Sequence, residues 1–274
     1  MRSIYKMLFH LVFSFYLILF FYLKFSTQDE YLANYFTDSF YVIELFAFGA
    51  ALIVSNDWFF FGTQVGLAFL LYAFAFLFQF LGHLSYTLIF LNTGIENPYL
   101  NVGDIAFLVS SSLFLVGCII LLREGLLLKG IHKNWFFLGS KLLLLLMCFT
   151  LLASLHLFTP IDTMEVTSYR IWMEFLLPVI EIIDIILLTV YLFYCNYLYL
   201  GSFRYNFLLM AVAFVVLFLN DLLFYFQTYT NTWSPAGLND LLYLISYYLQ
   251  CISIIGIANK LYRKHSIGAT YYLN

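Results

Sequence analysis

The chain has 274 residues, 64% of them hydrophobic and only 10% charged, with a formal net charge of −3 and a mean hydropathy of +0.93. Soluble domains carry about 25% charged residues, and a water-soluble globule of this size has too little interior for so much apolar surface. A sizeable soluble catalytic domain is excluded, and so is nucleic acid as a partner, because the balance is acidic and no basic tract exceeds three residues. The expected surroundings are a lipid bilayer and the expected fold is an all-α polytopic bundle.

A spanning helix needs roughly 20 mostly apolar residues. In chain order the candidates are Tyr5–Phe25, Phe40–Val54, Val65–Leu91, Asp104–Leu122, Lys141–Phe158, Ile171–Leu192, Phe207–Tyr229 and Leu241–Tyr262. Eight spans place both termini on one side. That side holds Arg2, Lys6, Arg123, Lys129, Lys133, Lys141, Arg204, Lys260, Arg263 and Lys264, whereas the other holds only Lys24 and Arg170. The positive-inside rule therefore predicts a cell-membrane protein with both termini cytoplasmic and outward loops at 26–39, 92–103, 159–170 and 230–240. Cys118, Cys148, Cys195 and Cys251 lie singly in apolar stretches without a CxxC, so neither disulfide, metal nor cofactor is expected.

The two halves of the chain resemble each other. Lys6-Met7-Leu8 returns as Lys141-Leu142-Leu143, Val42-Ile43-Glu44 as Val179-Ile180-Glu181, and Gly82-His83-Leu84 as Asn220-Asp221-Leu222. Asp104-Ile105-Ala106-Phe107-Leu108 returns as Asp240-Leu241-Leu242-Tyr243-Leu244. All four offsets lie between 135 and 138 residues, about half the chain. This predicts two four-helix repeats, 1–135 and 136–274. Four spans each give both repeats the same insertion, so a pseudo-two-fold axis should run along the membrane normal.

Ionisable side chains inside a bilayer cost a few kcal/mol each and usually face the bundle interior. Glu44, His83, Glu181 and Asp221, with Asn220 beside it, lie within spans and fall in the outer half. They are the candidate binding residues and would line an outward-opening cavity, with hydrogen-bonded contact between helices as the equal alternative. Asp104 and Asp240 each follow a Pro-containing turn, at Pro98 and Pro235, and open a span. A capping carboxylate on free N–H groups is the expected role of these two, with the same cavity as the alternative. Pro178 is the one candidate for the broken helix that a transporter would need.

The pattern in each repeat is a polar pair late in one span, then a Pro-containing loop leading into Asp and an aromatic-rich span. It resembles the multi-span N-terminal membrane modules of diguanylate cyclases and sensor histidine kinases, on Asn220-Asp221 with Ser234-Pro235 and Asp240-Leu241-Leu242-Tyr243-Leu244, and on Gly82-His83 with Pro98-Tyr99 and Asp104 to Leu108. That resemblance implies a sensor-like protein without a catalytic domain of its own. Only about 12 residues follow the last span, so any signal would pass to a separate cytoplasmic or membrane partner. A second likeness is to the eight-span lysoplasmalogenase-type family, on Phe80 to Tyr86, Tyr247 to Gln250, Asn220 to Leu223 and Asn56-Asp57. It implies an intramembrane lipid hydrolase with Asp57, His83 and Asp221 as acid/base residues. A small-solute or proton-coupled transporter is the third reading.

Overall fold

The computed structural model describes residues 2–26, 30–94, 102–128, 168–194, 204–230 and 232–271. These are helical, with no strand among them. The helices are α1 (Arg2–Ser26), α2 (Glu30–Asp38), α3 (Tyr41–Asp57), α4 (Gln64–Thr93), α5 (Val102–Leu128), α6 (Ser168–Tyr194), α7 (Arg204–Tyr229) and α8 (Leu238–Tyr271). In lipid every backbone N–H and C=O needs an internal partner, and an unbroken helix supplies it within one segment. Six described stretches are long and apolar enough to cross a membrane: Ile4–Phe25, Glu30–Asp57, Gln64–Thr93, Val102–Glu124, Arg204–Gln227 and Leu238–Ala258. The fifth predicted span, Lys141–Phe158, lies outside the described residues.

The second span differs from its sequence reading. The expected outward loop at 26–39 contains α2, which runs into α3 across a short turn. Asn34 and Phe36 of α2 are buried. Its inward face is too narrow to register as an apolar run, yet wide enough to dock. At the turn, the Ser39 hydroxyl donates to the Phe36 carbonyl at 2.9 Å and Tyr16 donates to the Ser39 carbonyl at 2.6 Å. The same two carbonyls also accept backbone N–H groups, Phe36 from Ser39 at 3.1 Å and Ser39 from Val42 at 3.5 Å, so the turn is doubly held.

Six helices close a ring. α3 packs on α4, α4 on α5, α5 on α6, α6 on α7, α7 on α8, and α8 returns to α3. α1 lies outside the ring against α8 and α3. Contacts fix the directions. Tyr5 bonds the Phe46 carbonyl while Tyr16 meets Ser39, so α1 runs antiparallel to α3. Thr37 reaches Asp240 and Phe40 meets Tyr247, so α3 and α8 run parallel. The start of α1 and the end of α8 therefore share one end of the bundle, hereafter the terminal end. The opposite end carries the turn at Ser39–Phe40, Gly94, and the loop before α8.

Aromatic rings fill the ring's middle. Phe114 sits edge-on to Phe76 and Phe214 with centroids 5.0 and 5.3 Å away, and tilted to Tyr72 at 5.4 Å. Edge-to-face pairs of this kind add about 0.5–1.5 kcal/mol each beyond area burial. At the terminal end α7 and α8 are clamped reciprocally: Asn206 Nδ2 donates to the Ser253 carbonyl at 3.0 Å, and Ser253 Oγ donates to the Asn206 carbonyl at 2.7 Å.

The turn joining α3 to α4 is tightly built. Thr63 caps α4 by accepting from Gly66 N–H at 3.0 Å, and Ser55 Oγ donates to the Gly66 carbonyl at 2.8 Å. Phe59 and Phe60 both adopt positive φ, 61° and 45°, a region that bulky residues enter only under tertiary constraint. α6 continues unbroken through Pro178, so the helix break that a transporter reading expects there is not present. Proline removes one backbone donor at that point, and packing against α5 and α7 holds the helix together.

Candidate functional site

The ring turns its polar residues inward. Glu44 is 1% exposed on α3, Glu181 3% on α6 and Asp221 8% on α7. His83 of α4 retains 12% side-chain exposure. Phe40, Phe107 and Tyr247 stand around His83.

Two polar pairs form, one in each half of the chain. In the first, His83 Nε2 lies 3.2 Å from Glu44 Oε1 and 3.1 Å from the Tyr247 hydroxyl. Phe107, Phe40 and Tyr247 stand edge-on around the imidazole, with centroids 4.8, 5.9 and 5.5 Å away. Gly82 makes this possible, since a Cβ there would lie 2.9 Å from the Phe107 ring. In the second pair the Glu181 and Asp221 carboxyls are neighbours that interact electrostatically. Tyr243 donates to Asp221 Oδ1 at 2.6 Å. Tyr243 and Tyr247 stack in parallel, centroids 6.0 Å apart. Tyr247 interacts electrostatically with Glu44, Asp221 and Glu181, so it stands between the two pairs.

Asp104 and Asp240 are not part of this centre. Asp240 is the third residue of α8, two positions inside the expected opening position. Its Oδ2 accepts from Gly237 N–H at 3.0 Å and from Thr37 Oγ1 at 3.0 Å. The reach back to the residue before the helix is the capping-box arrangement, and the Thr37 bond ties α8 to α2. Asp104, likewise third in α5, accepts from the Tyr86 hydroxyl. We expect Asp240→Ala to lower stability by about 1 kcal/mol, the usual worth of a lost cap. Asp240→Asn, which keeps an acceptor, should melt close to the native chain. Equal thermal melts for both substitutions would remove the capping assignment.

Further buried polar atoms lack partners among the described residues: Gln79 Oε1, Ser110 Oγ, Glu181 Oε2, both Asp184 oxygens, both polar atoms of Asn220 and Asn239, and Gln250 Oε1. Asn220, singled out from sequence, is fully buried but makes no hydrogen bond to either pair. Asp184 lies one helical turn beyond Glu181 and abuts the Cys118 thiol, which is 3.1 Å from the Tyr72 hydroxyl.

The tyrosines were not recognised in the sequence as site residues. Asp240, Tyr243, Tyr247 and Gln250 follow an i, i+3, i+7, i+10 spacing, which puts all four on one helical face. That periodicity is the signal that would have found them. Among the described residues no group of three or more His, Cys, Asp or Glu is arranged to hold a metal. Comparison of the chain with protein-family models, curated proteins and solved structures gives no match.

Proposed function

We propose that the chain is a multi-pass cell-membrane protein of sensor-like type, with cytoplasmic termini, whose responsive element is the enclosed polar centre and whose output passes to a separate protein. The observation that carries this reading is the position of His83 Nε2, within bonding distance of both Glu44 on α3 and Tyr247 on α8. One nitrogen serves these partners in different ways. With a proton on Nε2 it donates to Glu44; without one it accepts from the Tyr247 hydroxyl. Protonation, or a ligand competing for either partner, shifts the tie between helices, and a sensor needs such a two-state element. α8 continues from Tyr247 to Tyr271 at the terminal end, which is a direct mechanical route from the centre to the side where a cytoplasmic partner would dock. The ring contacts also support two repeats: exchanging α3, α4, α5 for α6, α7, α8 maps every neighbouring pair onto another neighbouring pair.

Hydrogen exchange of the protein in lipid nanodiscs tests the reading. A step from pH 8 to pH 5 should change protection at Ile252–Ala258 on α8, far from the centre, and Glu44→Gln and His83→Gln should abolish that change. Exchange differences confined to the immediate neighbours of His83 would overturn it.

The lipid-hydrolase alternative requires Asp57, His83 and Asp221 together. Asp57 ends α3 thirteen residues beyond Glu44, roughly 20 Å along the helix axis, at the opposite end from His83. The purified protein should release no aldehyde or headgroup from lysolipids above a detergent blank.

A further inference from the structure

The two polar pairs occupy matching places in the two halves, and they differ in one respect. Glu44 corresponds to Glu181, His83 to Asp221, and Phe107 to Tyr243. In the first pair an acid faces an imidazole, and edge-on aromatic rings surround it. That pair carries its own group able to bear positive charge. In the second pair the imidazole is replaced by a second acid. No lysine, arginine or histidine among the described residues is paired with Glu181 or Asp221. The groups facing them are the Tyr243 hydroxyl, Tyr247, Asp184 one turn along α6, and Glu44 beyond Tyr247. All are neutral or acidic. Glu181 Oε2 is buried without a partner among the described residues.

We propose that the Glu181–Asp221 pair is a binding site for one small monovalent cation, which takes the place that the His83 imidazole fills in the other half. This deepens the sensor reading above and rests on it: the cation would be the ligand to which the centre responds. The donor set is all oxygen, two carboxyls and the Tyr243 hydroxyl, which suits a hard cation or an N–H donor and not a soft metal. A single positive charge is what the pair needs. One cation bridging two carboxyls removes their mutual repulsion and leaves one net charge, whereas a divalent ion has more oxygen ligands to satisfy than the site offers. Proton, sodium and ammonium share this chemistry.

The test is thermal melting of the full chain in nanodiscs at fixed pH and ionic strength, with sodium, ammonium or bulky choline as the only cation, joined to infrared detection of protonated carboxyl groups. If sodium or ammonium is the occupant, the midpoint rises with the logarithm of that cation's concentration but not with choline, and Asp221→Asn and Glu181→Gln abolish the rise. If the proton is the occupant, the three salts give equal midpoints and the native protein shows a carboxylic-acid band that both substitutions remove. Tyr243→Phe should weaken either signature and keeps the acidic pair intact should the other variants fold poorly. The proposal is overturned if salts are equivalent and no such band belongs to the pair, or if His83→Gln removes the signature as completely as Asp221→Asn. Because these readouts are equilibrium binding at Glu181 and Asp221, they can succeed while transmission along α8 fails, and the reverse.

Discussion

His83→Leu is expected to destabilise the folded bundle by about 1–3 kcal/mol, the usual cost of leaving a buried polar group without its partner. Glu44 is 1% exposed, and without His83 its carboxyl keeps no basic group beside it among the described residues. The effect comes from the stranded acid more than from the lost bond. The double substitution Glu44→Leu with His83→Leu should therefore recover most of the loss, since burying two apolar groups in place of a buried pair is often neutral or favourable. Denaturation of the native, two single and one double variant in one detergent gives the coupling energy directly. Additive losses would show that the pair does not act as a unit.

Gly66→Ala is expected to cost about 3 kcal/mol, the upper part of the range for forcing extra volume into a packed site. An added Cβ would lie 2.4 Å from the Phe60 carbonyl and 2.5 Å from the Trp58 carbonyl. Both are backbone atoms and cannot swing aside. The turn that would have to open already holds Phe59 and Phe60 at positive φ and carries the Thr63 cap. The loss should appear as a lower melting midpoint together with faster proteolysis in the Trp58–Thr63 turn. Gly94→Ala, whose added Cβ would meet nothing within 4 Å, is the comparison: it carries only the strain of a left-handed φ of 67°. Equal losses at the two glycines would mean that close approach is not what Gly66 provides.

Much of the architecture was legible in the sequence because lipid imposes a simple rule. A segment must be long, apolar and helical to cross it, so the first, third, fourth, sixth, seventh and eighth predicted spans each fall within a described helix, whose ends lie up to nine residues beyond the predicted ones. The second span was misjudged at its start because α2 is amphipathic, and a running average dilutes a narrow buried stripe such as Asn34 with Phe36. The pairing of polar residues was only partly legible. Matched positions in the two halves picked out Glu44 with His83 and Glu181 with Asp221 as candidates. Nothing along the chain says that Tyr247 lies between them.

By itself, then, the sequence determined that the chain is helical and apolar and which few ionisable groups lie within its spans, since composition and periodicity are properties of a single segment. Tertiary structure alone decided that four of those groups converge in a closed ring while Asp104 and Asp240 bond to Tyr86 and Thr37 near its edge. That choice depends on which helix faces meet, and helix contact is set by ring-against-ring packing of side chains such as Phe114 on Phe214 and Phe40 on Tyr247. These contacts join residues a hundred or more positions apart. The low charge also makes the centre consequential: few ionisable groups lie inside, and the Glu181–Asp221 pair has no partner of opposite sign among the described residues.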